Sequence, residues 1–66
     1  MGSWVKTSDH QQVRSDGEKT LYIEDMGGGY WKWSVMLGGR YICDDETGEY
    51  AHDEKEAKIL AELNAI

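Results

Sequence analysis

Cys43 is the one thiol of this 66-residue chain, and His10 and His52 are its only imidazoles. A thiol beside an imidazole is the smallest nucleophile–base pair a protein can build. Here nothing in the spacing brings the three together. Cys43 follows Ile42 in a stretch with strand character, where a cysteine usually serves as a small hydrophobe. The serines lack the glycine-flanked elbow that exposes a nucleophilic hydroxyl. So short a chain also has little with which to wall off a dry pocket. The chemistry-bearing residues therefore point away from an enzyme.

Asp44-Asp45-Glu46-Thr47-Gly48-Glu49 has the oxygen density of a calcium loop. The pattern fails on counting from Asp44, because the sixth position, which an EF-hand gives to glycine, is Glu49. Two histidines and one cysteine, far apart in sequence, make a poor zinc set. Gly27-Gly28-Gly29 and Gly38-Gly39 are not followed by the Lys-Ser/Thr of a phosphate loop, and neither opens a helix. They read as turn chemistry. No cofactor and no dedicated metal site is expected.

Charge is more informative. From Asp44 to the end, eight acids face Lys55 and Lys58, while the first 43 residues carry five cations against five acids. The whole net charge of −6 therefore lies in the final third. Such an end repels phosphate and attracts basic surfaces over a distance. Cys43 cannot form a disulfide within the chain, and a lone thiol fits a reducing compartment. The N-terminus lacks the basic and apolar regions of a signal peptide. Gly2 stands where N-myristoylation needs it, but the sixth residue is Lys6 rather than Ser or Thr. The expected location is the cytoplasm, with no membrane association.

The elements that must hold these residues are partly legible. Tyr30 to Leu37 alternates strictly, with Trp31, Trp33, Val35 and Leu37 on one face and Tyr30, Lys32, Ser34 and Met36 on the other. Gly38-Gly39 suits a primed two-residue turn. In that register Val35 pairs with Ile42, Ser34 with Cys43, Lys32 with Asp45, and Trp33 faces Asp44. Thr20 to Asp25 reads as another strand, with Leu21 and Ile23 inward. The three glycines at 27–29 are too permissive to specify a turn. Ser15-Asp16-Gly17-Glu18 is a turn signal that implies a strand over roughly His10 to Arg14. Residues 1–18 are then an N-terminal arm or edge strand, anchored if Trp4 docks, and residues 19–66 are a strand-strand-strand-helix core. Asp53 with Glu56 resembles a capping box, and Ala57 to Ile66 continues without a breaker. Ile59, Leu63 and Ile66, flanked by Leu60, form the stripe expected to cover the sheet, with Glu54, Lys58 and Glu62 outward. The predicted class is α+β: a small antiparallel sheet of three to four strands with one C-terminal helix packed on one face.

Two binding readings follow. Tyr30-Trp31-Lys32-Trp33 interleaves aromatics with a base, and Lys19, Lys32 and Arg40 can lie across one sheet. Three strands on a C-terminal helix resemble in outline plant AP2-type and integrase arm-binding domains. That likeness is one of architecture and matches no base-contacting motif; with the residues above it gives the alternative reading, a nucleic-acid-binding sheet using Lys32, Arg40 and the Trp31/Trp33 strand. The net charge opposes it, since such affinity comes mainly from neutralised phosphates. The reading that fits the charge is non-enzymatic protein binding. Asp44, Asp45, Glu46, Glu49, Asp53 and Glu54 would meet a basic, nucleic-acid-handling partner, and Tyr30, Tyr41 and Tyr50 would anchor it. In size and charge the chain resembles the small acidic inhibitors that phages encode against host nucleases, restriction or CRISPR complexes. That resemblance implies an inhibitor or adaptor, monomeric or homodimeric, whose carboxylates imitate a nucleic-acid backbone.

Overall fold

The computed structural model describes residues 3–66. Met1 and Gly2, the latter the position weighed for acylation, lie outside the described residues. The elements are β1 (Val5–Lys6), β2 (Gln11–Asp16), β3 (Lys19–Gly27), β4 (Tyr30–Leu37), β5 (Arg40–Asp44) and α1 (Glu54–Asn64). Every strand pairs antiparallel with its sequence neighbour, giving a five-stranded sheet in the order β1-β2-β3-β4-β5. The class is α+β, as the composition and element order imply. The strand count is five rather than three to four. Residues 5–16 supply two strands despite their few apolar side chains, because Trp4 packs on the core and carries β1 with it. No helix among the described residues is long and apolar enough to cross a membrane.

Glycine sets two of the hairpins. Gly38 and Gly39 both have positive φ, the backbone of a primed turn whose twist matches its strands. Gly28 and Gly29 do the same between β3 and β4, and Gly27 closes a bulge at Met26, opposite Tyr30. The triple glycine is therefore a tight turn plus a bulge, where the sequence alone implies an unspecified loop.

The β4–β5 register differs from the alternating expectation. Leu37 pairs with Arg40 and Met36 with Tyr41, but the ladder then shifts, so Val35 meets Cys43 and Ser34 meets Asp44. Ile42 is the extra residue of a bulge and is exposed. The expected Lys32–Asp45 pair does not form; Lys32 stands opposite Glu24. Asp45 instead reaches the Trp33 position, donating its N–H to the Trp33 carbonyl at 3.1 Å. Slipping by one residue exchanges the two faces of everything that follows.

The core is Leu21, Ile23, Trp33, Val35, Ala51, Ala57 and Ala61, between the sheet and α1. Asp53 caps the helix by accepting the Glu56 N–H at 2.7 Å. The Glu56 carboxylate reaches back one residue further than a capping box, to the His52 N–H at 3.0 Å. Which face of α1 docks is a correction. The buried residues are Ala57 and Ala61, whereas Ile59 (44% exposed), Leu63 (60%) and Ile66 (97%) face away. Alanines let the helix backbone approach a sheet already filled by Trp31 and Trp33; a stripe of Ile and Leu would hold it off. Nor do Lys58 and Glu62 form an idle outer ladder. Glu62 Oε2 accepts from the Trp4 indole N–H at 3.0 Å and from Arg14 Nη1 at 2.6 Å. Lys58 lies 5.8 Å from the Trp4 ring centroid, close enough for a cation–π contact. Lys19 donates to the Ala65 carbonyl, supplying from β3 the cation that the last helical turn lacks.

The docking geometry predicts opposite responses from neighbouring helix positions. Ala61→Leu should overpack the sheet–helix seam and cost about 1–3 kcal/mol, while Leu63→Gln should change stability by less than about 0.5 kcal/mol. Urea unfolding of the two variants checks this. A large loss from Leu63→Gln would mean that the predicted stripe, not the alanine face, packs on the sheet.

Candidate functional site

The segment after β5 is held tightly for an exposed loop. Asp44 Oδ1 accepts the N–H groups of Glu46 and Thr47 at 3.0 and 3.1 Å. Thr47 Oγ1 accepts the Asp44 N–H at 3.0 Å, and the Gly48 N–H donates to the Asp44 carbonyl at 2.9 Å. The chain then crosses Trp33, whose indole N–H donates to the Glu49 carbonyl at 2.7 Å. A Cβ at Gly48 would stand 2.8 Å from that ring, so glycine is required there for close approach. Ala51 bridges back to Trp31, with the Trp31 N–H donating to the Ala51 carbonyl at 2.9 Å, and Asp53 starts the helix.

On this frame the acids divide by employment. Asp44 organises the turn, and Asp53 caps α1. Glu54 pairs with Lys58 at 3.0 Å, Glu56 faces the His52 ring at 3.0 Å, and Glu62 holds Arg14 and Trp4. The carboxylates of Glu46 and Glu49 have no hydrogen bond or ion pair among the described residues. Between them and the helix stands Tyr50, 57% exposed, edge-on to Tyr30 with ring centroids 5.6 Å apart. Glu46, Glu49 and Tyr50 are thus what the loop presents.

Asp45, expected on the acidic surface, is only 1% exposed. Its Oδ2 accepts the Tyr30 hydroxyl, and its Oδ1 is buried with no hydrogen-bond partner among the described residues. Burial pushes its carboxyl above the ordinary range, with the neighbouring Glu46 charge adding to the rise and the nearby main-chain N–H dipoles of Asp45 and Glu46 opposing it. Tyr30 is correspondingly half-buried and is fixed by Asp45. Tyr41 is exposed, but it opens onto the sheet face away from the helix, in a concavity shared with Gln11, Tyr22, Glu24, Lys32 and Ser34.

The residues of the nucleic-acid reading do not assemble. Trp33 is fully buried, so its ring offers no face for base stacking, and Trp31 is partly buried against the core. Lys19 caps the helix, Arg40 pairs with Leu37 at the hairpin end, and Lys32 lies on the opposite face beside Glu24. Cys43 Sγ is 3.5 Å from Thr47 Oγ1 and 3.5 Å from Asn64 Oδ1, while His52 pairs with Glu56 and His10 lies beyond β2, three strands from β5. Among the described residues no three His, Cys, Asp or Glu side chains are grouped to hold a metal ion. Of the concavity residues, alternation alone turns Tyr22, Glu24, Lys32 and Ser34 to that face; the β2–β3 register that adds Gln11 was not readable from the sequence. Comparison with protein families, curated proteins and solved structures finds no match to this chain.

Two outcomes follow from the loop's construction. Gly48→Ala should cost roughly 1–3 kcal/mol, because the fully buried Trp33 ring cannot yield to the added methyl; thermal unfolding reads the loss. For Asp45, a folded-state pKa above the unfolded value means that folding takes up a proton. Stability tied to this group is present below the unfolded pKa and declines as pH rises through the folded one. Stability of Asp45→Asn relative to the parent should therefore rise from pH 3.5 to pH 7 in denaturant titrations. A difference that stays flat or falls would show that Asp45 is not held in a protonation-favouring site.

Proposed function

We propose that the chain is a non-enzymatic protein-binding module, a small acidic inhibitor or adaptor. Its Glu46–Tyr50 loop docks on a basic, nucleic-acid-handling partner. The supporting observation is the loop's rigidity combined with its two unemployed carboxylates. Acids that serve only solubility need no fixed backbone. Here the Asp44–Thr47 turn, the Trp33–Glu49 hydrogen bond and the glycine packed on an indole hold Glu46, Glu49 and Tyr50 in one arrangement. Rigid presentation lowers the ordering cost of binding, and tyrosine next to carboxylates is suited to a surface of arginines and lysines. The charge of the final third adds steering. Burial of Asp45 and the structural work of Asp44, Asp53 and Glu54 narrow the contact set to three side chains, with Tyr30 behind them.

The test is position against charge. Fluorescence anisotropy with a labelled Arg/Lys-rich peptide as probe should show binding that weakens with salt. The variant Glu46→Gln/Glu49→Gln/Tyr50→Ala should weaken it at least about tenfold. Asp9→Asn/Glu18→Gln makes the same charge change at exposed positions elsewhere and should leave binding within about twofold. Equal losses from the two variants would reduce the loop to part of a diffuse negative field and would overturn the assignment.

A further inference from the structure

We propose that the face of the sheet opposite α1 binds a single neutral sugar ring, in the concavity lined by Gln11, Tyr22, Glu24, Lys32, Ser34 and Tyr41. The register stacks five of these residues in two rows, with Tyr41 opposite Met36 in a third. Gln11, Glu24 and Lys32 lie directly opposite one another across β2, β3 and β4, and Tyr22 faces Ser34 in the next row. Neighbours of these types ordinarily satisfy one another across strands. In this hollow they do not. Glu24 and Lys32 form no ion pair, and no hydrogen bond engages the side chains of Tyr22, Glu24, Lys32, Ser34 or Tyr41 among the described residues. Gln11 Oε1 accepts from Thr7 Oγ1 at 3.0 Å, which leaves the side-chain Nε2 as a donor.

The vacant capacity has a definite chemical character. An ammonium and an amide donate, a carboxylate accepts, and three hydroxyls do both. Lys32 and Glu24 face each other, so an anionic ligand meets Glu24 and a cationic one meets Lys32; a neutral ligand meets neither penalty. Ligand hydroxyls both donate and accept, and they satisfy every group on the rim. The Tyr41 ring, 67% exposed, adds a flat apolar platform for the C–H face of a sugar. The cavity is about 210 Å³. That is smaller than the ~300–1,000 Å³ of drug-sized sites, which suits a single ring rather than a longer ligand. A nucleic-acid strand does not suit this face, because Lys32 is accompanied by Glu24 and by Asp44 opposite Ser34.

Titration of the ¹⁵N-labelled full chain with glucose, galactose, mannose and N-acetylglucosamine, followed by NMR, tests the proposal. At least one should shift the amides of residues 11, 22–24, 32–34 and 41 in fast exchange, with a Kd on the order of 1 mM, as expected for so few ligand atoms in a shallow site. Tyr41→Ala and Glu24→Gln should each weaken it about tenfold or more, and both positions tolerate change without unfolding because neither is in the core. The loop variant Glu46→Gln/Glu49→Gln/Tyr50→Ala should leave sugar binding unaltered, which separates this face from the docking loop. The proposal is overturned if no sugar moves these amides at about 50 mM, or if the shifts scatter over the whole surface. It is equally overturned if an oligo(dT) strand or a basic peptide moves them and sugars do not.

Discussion

The burial of Trp33 is the constraint on which the other elements depend. Its ring lies in the same core cluster as Leu21, Ile23 and Val35 from the sheet and Ala57 and Ala61 from the helix. Its indole N–H needs a partner once it is out of water, and the Glu49 carbonyl is that partner. Meeting this need draws the loop after β5 across the ring and forces a residue without a side chain at Gly48. The helix start is placed by the same stroke, since only three residues separate Glu49 from the cap at Asp53. A 66-residue chain has a thin core. Here one large side chain, packed on by alanines and closed by a hydrogen bond to a loop, makes that core sufficient.

The periphery is tied down by charge rather than by apolar area. Arg14 and Trp4 converge on one oxygen of Glu62, so the first two strands are clamped to the helix without contributing much to the core. Glu62 is partly exposed, and such a pair is worth little by itself in water. Its effect comes from position. It closes contacts separated by 48 and 58 residues in sequence, and Lys58 over the Trp4 ring closes the same gap. Much of the acidity that dominates the composition is therefore structural. That is why net charge alone overstates the surface available to a partner.

Local signals were legible and tertiary choices were not. The bounds of β4 follow from strict alternation ended by Gly-Gly, and α1 follows from Asp53 and the run without breakers. Which face of α1 docks was not decidable from periodicity. Ala57 and Ala61 repeat at helical spacing as faithfully as Ile59 and Leu63, and hydrophobicity ranks the second set higher. The sheet decides, because two tryptophans leave space only for small side chains. β1 has almost no apolar pattern, and its pairing is enforced by Trp4 far along the fold. The acidic loop was visible as a stretch. The fate of Asp45 was not, because it depends on a bulge that alternation cannot reveal.

That bulge at Ile42 links the two surfaces. Before it, β5 keeps the regular register, so Tyr41 stays opposite Met36 and on the face turned away from the helix. After it, the inserted residue reverses the alternation. Asp44 comes to the open face opposite Ser34, where its carboxylate is free to organise the turn with Thr47, and Asp45 goes inward beside Trp33. A regular ladder would instead place Asp44 against the Trp33 ring and leave Asp45 beside Lys32. The charge would be better paired at Lys32, but Asp44 could not hold the loop. Burying Asp45 with one oxygen unpartnered is an unfavourable term, partly offset by the Tyr30 hydroxyl. Unsatisfied buried groups in small proteins persist where the surrounding geometry is over-determined. The geometry over-determined here is that of the loop carrying Glu46, Glu49 and Tyr50. A single inserted residue in an edge strand thus sets both the platform at Tyr41 and the rigidity of the acidic loop.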